Sequence, residues 1–281
     1  MSGISIWESL VLGIVEGITE YLPVSSTGHL TITEKLLGLT VNDPDVTAYT
    51  AIIQIGAIAA AVIYFWKDIV TIVTAFVAGV LRPEARQSAQ WRLACAVVVG
   101  CIPIAVVGLA LRSVIEDDLR SLWVVAAGLI IWSGVMVFAE RAATHQRTER
   151  DVKLADGLVI GAVQVFSLIP GVSRSGATIS AGLLRDLDRV TATRLSFLLG
   201  IPALTAAGVL EGLTKRDEIS QGVGWVPTFV GIIVSFFVAY ASIAWLLRFV
   251  SRNSIIPFVW YRLGAGLLLI IALSTGWMSA T

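Results

Sequence analysis

Glu16-Gly-Ile-Thr-Glu20-Tyr-Leu-Pro23-Val-Ser25-Ser26-Thr27-Gly28-His29 decides how the rest of the chain is read. The stretch sets two acids, two serines, two threonines and a histidine inside a chain of 281 residues that is 56% hydrophobic and 14% charged. Soluble domains carry about 25% charged residues, and the mean hydropathy here is +0.84. A charge at the centre of a membrane-spanning helix costs roughly 2.5–3.5 kcal/mol on insertion scales. Polar groups kept at that cost point to function. The helix carrying Glu16 and Glu20 stops at Pro23, after about 24 Å or less, which falls short of a hydrocarbon core about 30 Å thick. It is expected to turn back rather than cross.

Working outward, six segments are long and apolar enough to span a bilayer: about 47–66, 90–112, 120–139, 190–213, 226–248 and 257–277. The fold class is all-α integral membrane, because helices satisfy their own backbone groups in hydrocarbon. Residues 1–281 read as a single membrane domain. Residues 155–169 behave like 6–22 and stop at Pro170-Gly171. Each short helix is followed by a Ser/Gly-rich turn and a second short apolar piece, about 26–38 and 174–184. These pairs are expected to form two re-entrant helical hairpins. Residues 67–82 are ambiguous, with an interfacial helix as one expectation.

The two hairpins are related. At an offset of 148, Gly13 meets Gly161, Val15 meets Val163, Val24 meets Val172, Ser25 meets Ser173 and Gly28 meets Gly176. Glu16 meets Gln164, and Thr27 meets Ser175. Further on the offset becomes 144, where Val46-Thr47-Ala48 meets Val190-Thr191-Ala192 and Gly56 meets Gly200. The order and spacing indicate pseudo-repeats of about 1–140 and 150–281. Each is one hairpin plus three spans. Three is odd, so the second repeat is expected to be inverted, with the two hairpin tips approaching near the midplane.

Charge gives the orientation. Call the side of both termini X and the other Y. Loops and span ends on Y hold Lys67, Arg82, Arg86, Arg92, Arg141, Arg147, Arg150, Lys153, Arg185, Arg189, Arg194, Arg248, Arg252 and Arg262. Side X has Lys35, Arg112, Arg120, Lys215 and Arg216, with acids such as Asp43, Asp45, Glu116, Asp117 and Asp118. The positive-inside rule makes Y cytoplasmic and puts both termini outside. The first hairpin then opens outward and the second to the cytoplasm. The formal net charge is zero, which argues against a nucleic-acid partner. No basic region precedes the first apolar residues, so the N-terminus reads as mature structure. Cys95 and Cys101 share one apolar helix and read as small hydrophobes rather than metal ligands.

Glu16 and Glu20, four apart, share one helix face. In low dielectric their repulsion would be relieved by a divalent cation or a shared proton. The plainer reading is a pair that keeps a watery hairpin mouth solvated. Ser25-Ser26-Thr27-Gly28 opens the next half-helix, where hydroxyls and free backbone N–H groups make an anion site or simply a cap. His29 beside them is a candidate acid, base or nucleophile. In the second hairpin, Ser173-Arg174-Ser175-Gly176 puts an arginine at the tip. Its fork matches phosphate bidentately, and the alternative is an ion pair with Glu16 or Glu20. Two such turns facing each other would suit a pyrophosphate.

Glu16-x-x-x-Glu20, Pro23-Val-Ser-Ser-Thr-Gly-His29 and Pro170-Gly-Val-Ser-Arg-Ser-Gly-Ala-Thr178 resemble the signature segments of the bacterial undecaprenyl-diphosphate phosphatases of the bacitracin-resistance type. The resemblance covers the whole chain. It implies removal of one phosphate from a polyprenyl diphosphate carrier in the cytoplasmic membrane with a divalent cation, Mg²⁺ or Ca²⁺. The carrier is thereby recycled for peptidoglycan, with bacitracin resistance as a consequence. The family's catalytic positions fall on Glu16, Glu20, Ser26, His29 and Arg174. The type 2 phosphatidic acid phosphatases are a look-alike, but they need a second histidine after their Ser-Arg, and none follows Arg174 here.

Two readings from different classes follow. As a hydrolase, the lipid tail enters sideways between helices while the head reaches both tips, on the outer leaflet. Arg174, Ser173 and Ser175 hold phosphate, and Glu16 and Glu20 hold the metal or supply a base. Ser26 is the first choice of nucleophile, with His29 handling its proton. Direct attack by His29 and a metal-activated water are the rivals. As a lipid flippase or secondary transporter, the same inverted repeat would move the lipid without chemistry. Oligomeric state is not legible, and a homodimer stays open.

Overall fold

Prolines, seryl caps and glycines set where the helices start and stop. The computed structural model describes residues 4–41, 43–111, 121–215 and 219–280. Arg112, Glu116, Asp117, Asp118, Arg120 and Arg216, counted above on side X, lie outside the described residues. Helix α1 (Ile6–Thr19) opens with Ser5 and Glu8 exchanging side-chain-to-backbone hydrogen bonds. Helix α2 (Ser26–Leu36) begins just past Pro23. Helix α3 (Pro44–Tyr64) has proline in its first turn. Then come α4 (Trp66–Leu81), α5 (Ala89–Ala110) and α6 (Leu122–Ala142). The second half has α7 (Leu154–Gln164), extended by a tight turn over Val165–Leu168, and then α8 (Arg174–Leu184). It closes with α9 (Arg189–Thr214), α10 (Trp225–Val250) and α11 (Ile256–Ser274).

Among the described residues these eleven helices carry the fold. The six expected spans are α3, α5, α6, α9, α10 and α11, each long and apolar enough to cross a membrane. The ambiguous stretch is helix α4. It leans on α5 through a Phe76–Trp91 stack at 5.4 Å and leaves Val70, Val73 and Val77 exposed.

Each short helix is cradled by a long helix of the other half. Helix α1 packs on α10 and α7 packs on α5. Small residues make both contacts close. A Cβ on Gly13 would lie 2.9 Å from the Gly231 carbonyl oxygen, and one on Gly161 would lie 2.0 Å from that of Gly100. Ile4, Leu30, Val46 and Val223 pack together at one end. At the other, Asp156 near the start of α7 accepts from Arg185 Nε, just past α8, at 2.8 Å.

The two turns meet in the interior. Ser175 Oγ donates to the Leu22 carbonyl at 2.9 Å. Arg262 donates to the carbonyls of Pro23 at 3.2 Å, Gly171 at 2.9 Å and Gly128 at 3.2 Å, and to Ser133 Oγ at 3.3 Å. This corrects the sequence reading, which counted Arg262 among the cytoplasmic loops and span ends. Its exposure is 0%. Gly171, at φ +92°, lets the second turn lie against α6, where a Cβ would stand 2.2 Å from the Val125 carbonyl oxygen.

Candidate active site

Both half-helices that meet here start the same way. Ser25 and Ser173 are two of the few non-glycine residues with positive φ, at 78° and 76°. That left-handed conformation is strained for a residue with a Cβ, and such strain concentrates at functional sites. It swings each hydroxyl onto the backbone three residues ahead. Gly28 N–H donates to Ser25 Oγ at 3.4 Å, and Gly176 N–H to Ser173 Oγ at 3.2 Å. Each helix therefore presents its first N–H groups, which have no intrahelical acceptor, toward the junction of the two turns.

Glu20 is the hub. Its Oε2 accepts from Ser26 Oγ at 2.6 Å and from Gln54 Nε2 at 3.4 Å, and its Oε1 accepts from Arg174 Nη2 at 3.0 Å. Of the two partners that the sequence offered Arg174, anion or acid, the acid holds it here. Arg174 also donates to the carbonyls of Glu20 and Ser196, both at 3.4 Å, and lies over the Tyr21 ring at 5.5 Å. Its Nε has no partner among the described residues.

Glu16 is buried, and its Oε1 has no partner among the described residues. With Ser26, Thr27, Gln54 and Pro170 it lines a cavity of ≈ 230 Å³. An orphan carboxylate oxygen beside hydroxyl and amide oxygens is the donor set that hard divalent cations take. No cluster of three or more His, Cys, Asp or Glu exists among the described residues, so further ligands would have to be water or phosphate oxygens.

His29 sits apart from Ser26's hydrogen bond. Its Nδ1 lies 2.8 Å from the Ser25 carbonyl, which can only accept, so Nδ1 carries a proton. Nε2 lies 2.7 Å from the Tyr261 hydroxyl, and the two rings stack at 5.5 Å. The Ser26 hydroxyl, whose proton His29 was expected to handle, donates here to Glu20. In the second turn Ser173 Oγ and Ser175 Oγ are 3.1 Å apart, and Thr178 Oγ1 is 2.6 Å from Ser196 Oγ.

Four participants escaped the sequence reading. Gln54 was legible as a polar residue in an apolar span. Tyr261, Arg262 and Ser196 carry no local signal, because their partners lie elsewhere in the chain.

A family profile described as "Bacitracin resistance protein BacA" matches residues 9–268. The chain belongs to the BacA family. An "Undecaprenyl-diphosphatase 3" of Frankia casuarinae is 54% identical over 99% of this chain and 100% of its own length. An "Undecaprenyl-diphosphatase" of Acidothermus cellulolyticus is 52% identical over 100% of both chains. One of Myxococcus xanthus is 45% identical over 98% of this chain and 91% of its own. With six apolar helices long enough to cross, this BacA-family chain is a multi-pass membrane protein.

Proposed function

We propose that this protein hydrolyses undecaprenyl diphosphate to undecaprenyl phosphate and inorganic phosphate at the outer face of the bacterial cytoplasmic membrane. The enzyme class rests on full-length relatives of about half identity that bear that activity as their name. The observation that carries the mechanism is the relay from Ser26 through Glu20 to Arg174.

Ser26 Oγ attacks the terminal phosphorus and its proton passes to Glu20 Oε2. The phosphoanhydride bond breaks, and the lipid phosphate leaves with the bonding electrons. Glu20 gives that proton to solvent and then takes one from a water that attacks phospho-Ser26; as the phosphorus–oxygen bond to Ser26 breaks, Glu20 returns the proton to Ser26 Oγ, freeing Ser26 and inorganic phosphate. Arg174 moves from Glu20 onto the phosphoryl oxygens as substrate enters, which frees the carboxylate to act as base. Backbone N–H groups at the starts of α2 and α8 add to the charge stabilisation, with the Ser25, Thr27, Ser173 and Ser175 hydroxyls and the close approach that Gly28 and Gly176 permit. His29 and Tyr261 hold the start of α2 in place. Glu16, with Glu20, would hold Mg²⁺ or Ca²⁺, which when bound neutralises phosphate charge.

The topology belongs to the same proposal. The matched Ser25 and Ser173 conformations and the exchanged cradling of α1 and α7 support an inverted repeat with two re-entrant hairpins. With Y cytoplasmic, both termini face outward and the Glu16 cavity opens to the outer leaflet. Recycling the carrier there supports cell-wall synthesis and gives bacitracin resistance when the protein is abundant.

The test uses purified protein in detergent. Ser26→Ala is expected to lower phosphate release by about 10² or more, and acid-quenched wild type should carry phosphoserine at residue 26. Near wild-type turnover by Ser26→Ala would overturn the serine scheme. No phosphate release by wild type with any polyprenyl diphosphate and cation would favour transport instead.

A further inference from the structure

A second, larger cavity of ≈ 440 Å³ shares Glu20, Ser26 and Arg174 with the site and continues as an apolar groove between α5 and α9. Its walls are Ile104, Ala105 and Gly108 on one helix and Ala203, Leu204 and Ala207 on the other. The two helices touch at Cys101, whose thiol donates to the Leu199 carbonyl at 3.6 Å. Pro103 and Pro202 follow within three residues. A proline removes a ladder hydrogen bond and lets a helix bend. Past that point the pair stands open, and a Cβ on Gly108 would meet nothing within 4 Å.

The related pair, α3 with α10, is shut. Helix α3 lies against α10 so closely that a Cβ on Gly56 would be 2.1 Å from the Ile232 carbonyl oxygen, and one on Gly231 would be 2.4 Å from Tyr49 Oη. Gly200, the match of Gly56, gives its space to something else. A Cβ there would stand 2.2 Å from Arg174 Nη1. One glycine admits a partner helix, while its counterpart admits the guanidinium of the phosphate site. The groove therefore starts at Arg174.

We propose that this α5–α9 groove binds the head-proximal isoprene units of the lipid tail, which places the tail's exit to the bilayer between these two helices. The inference rests on the phosphatase reading above and adds the tail site to it. Its volume is that of a small-molecule pocket, about 300–1,000 Å³, so the rest of the tail lies in lipid. Membrane phospholipid is the competing occupant.

The experiment fills the groove. Gly108→Trp puts an indole into open space, and loss of the glycine favours the helix, so the variant should fold. The purified full chain is expected to show a KM for undecaprenyl diphosphate raised about tenfold or more, with kcat changed far less. Val106→Trp, on the exposed side of α5, should stay near wild type. Independently, Ala207→Cys with both native cysteines replaced by alanine should label with N-ethylmaleimide and be protected by undecaprenyl phosphate. An unchanged KM in Gly108→Trp would overturn the proposal, as would labelling that phospholipid blocks and undecaprenyl phosphate does not. Absence of any turnover in wild type counts against the phosphatase reading, and protection at position 207 would still report the groove.

Discussion

Arg262 is a single residue on which both turns depend. It is fully buried, and no carboxylate lies within ion-pair distance among the described residues. Its protons serve three main-chain carbonyls and one hydroxyl. A planar fork with five donors fits that task, and an ammonium does not. Arg262→Met would orphan the carbonyls of Pro23 and Gly171, which lie in the two turns and outside any helix, each costing about 1–3 kcal/mol. The expected result is a markedly lower unfolding midpoint in detergent and loss of turnover, with Arg262→Lys recovering only part of either. Wild-type stability and activity in Arg262→Met would contradict this role. The same residue marks where sequence reading fails. Arg262 follows Tyr261 near the start of an apolar run, which is where a snorkelling cation also sits, and its acceptors come from residues 23, 128 and 171. By contrast Glu16, Glu20, Ser26 and Arg174 were legible, because acids, hydroxyls and an arginine beside prolines have no apolar reason to be there.

At the scale of elements, the base of α7 and α8 is tied to the loop after α6. The Asp186 carboxylate accepts from Thr144 N–H at 3.1 Å and Oγ1 at 2.9 Å. Asp151 accepts from Thr148 N–H at 2.9 Å and Oγ1 at 3.0 Å. Arg147 pairs with buried Asp156 and donates to the Arg185 carbonyl at 2.7 Å. Backbone and hydroxyl hydrogen bonds hold the Asp151 and Asp186 carboxyls below the usual carboxylate range. A depressed folded-state pKa adds stability that is present above the unfolded value, near 3.9, and is lost as pH falls through the folded one. Amide protection over residues 144–151 is therefore expected to hold from neutral pH to about 4 and to fall below it. Asp186→Asn should flatten that fall in hydrogen exchange, and an unchanged acid profile would remove the latch from the account. Helix limits at this scale were well legible, because hydropathy and proline position are local. Mutual packing was not, since small residues at a seam look like small residues anywhere.

For the whole molecule, orientation is the property to test. A cysteine introduced by Asp43→Cys is expected to react with a membrane-impermeant reagent from outside intact cells, and one from Arg150→Cys only after lysis. The reverse pattern would place catalysis on the inner leaflet. The correspondence between the halves, on which the proposed inverted repeat rests, was visible in the sequence because Ser25, Gly28 and Gly13 have counterparts at one fixed offset. Its asymmetry was not visible. That one pair of related helices is sealed and the other open depends on what fills the space over Gly56 and Gly200, and no spacing encodes that.

The cradling of α1 by α10 also has a consequence for how the protein is made. About 200 residues separate the end of α1 from the start of its partner, which at about 5–20 residues per second is roughly 10–40 s of synthesis. Throughout that interval the Gly13 and Gly17 face of α1 is without the helix it packs against. Helix α1 is therefore made long before the partner it packs on, and its final seat forms only late in synthesis.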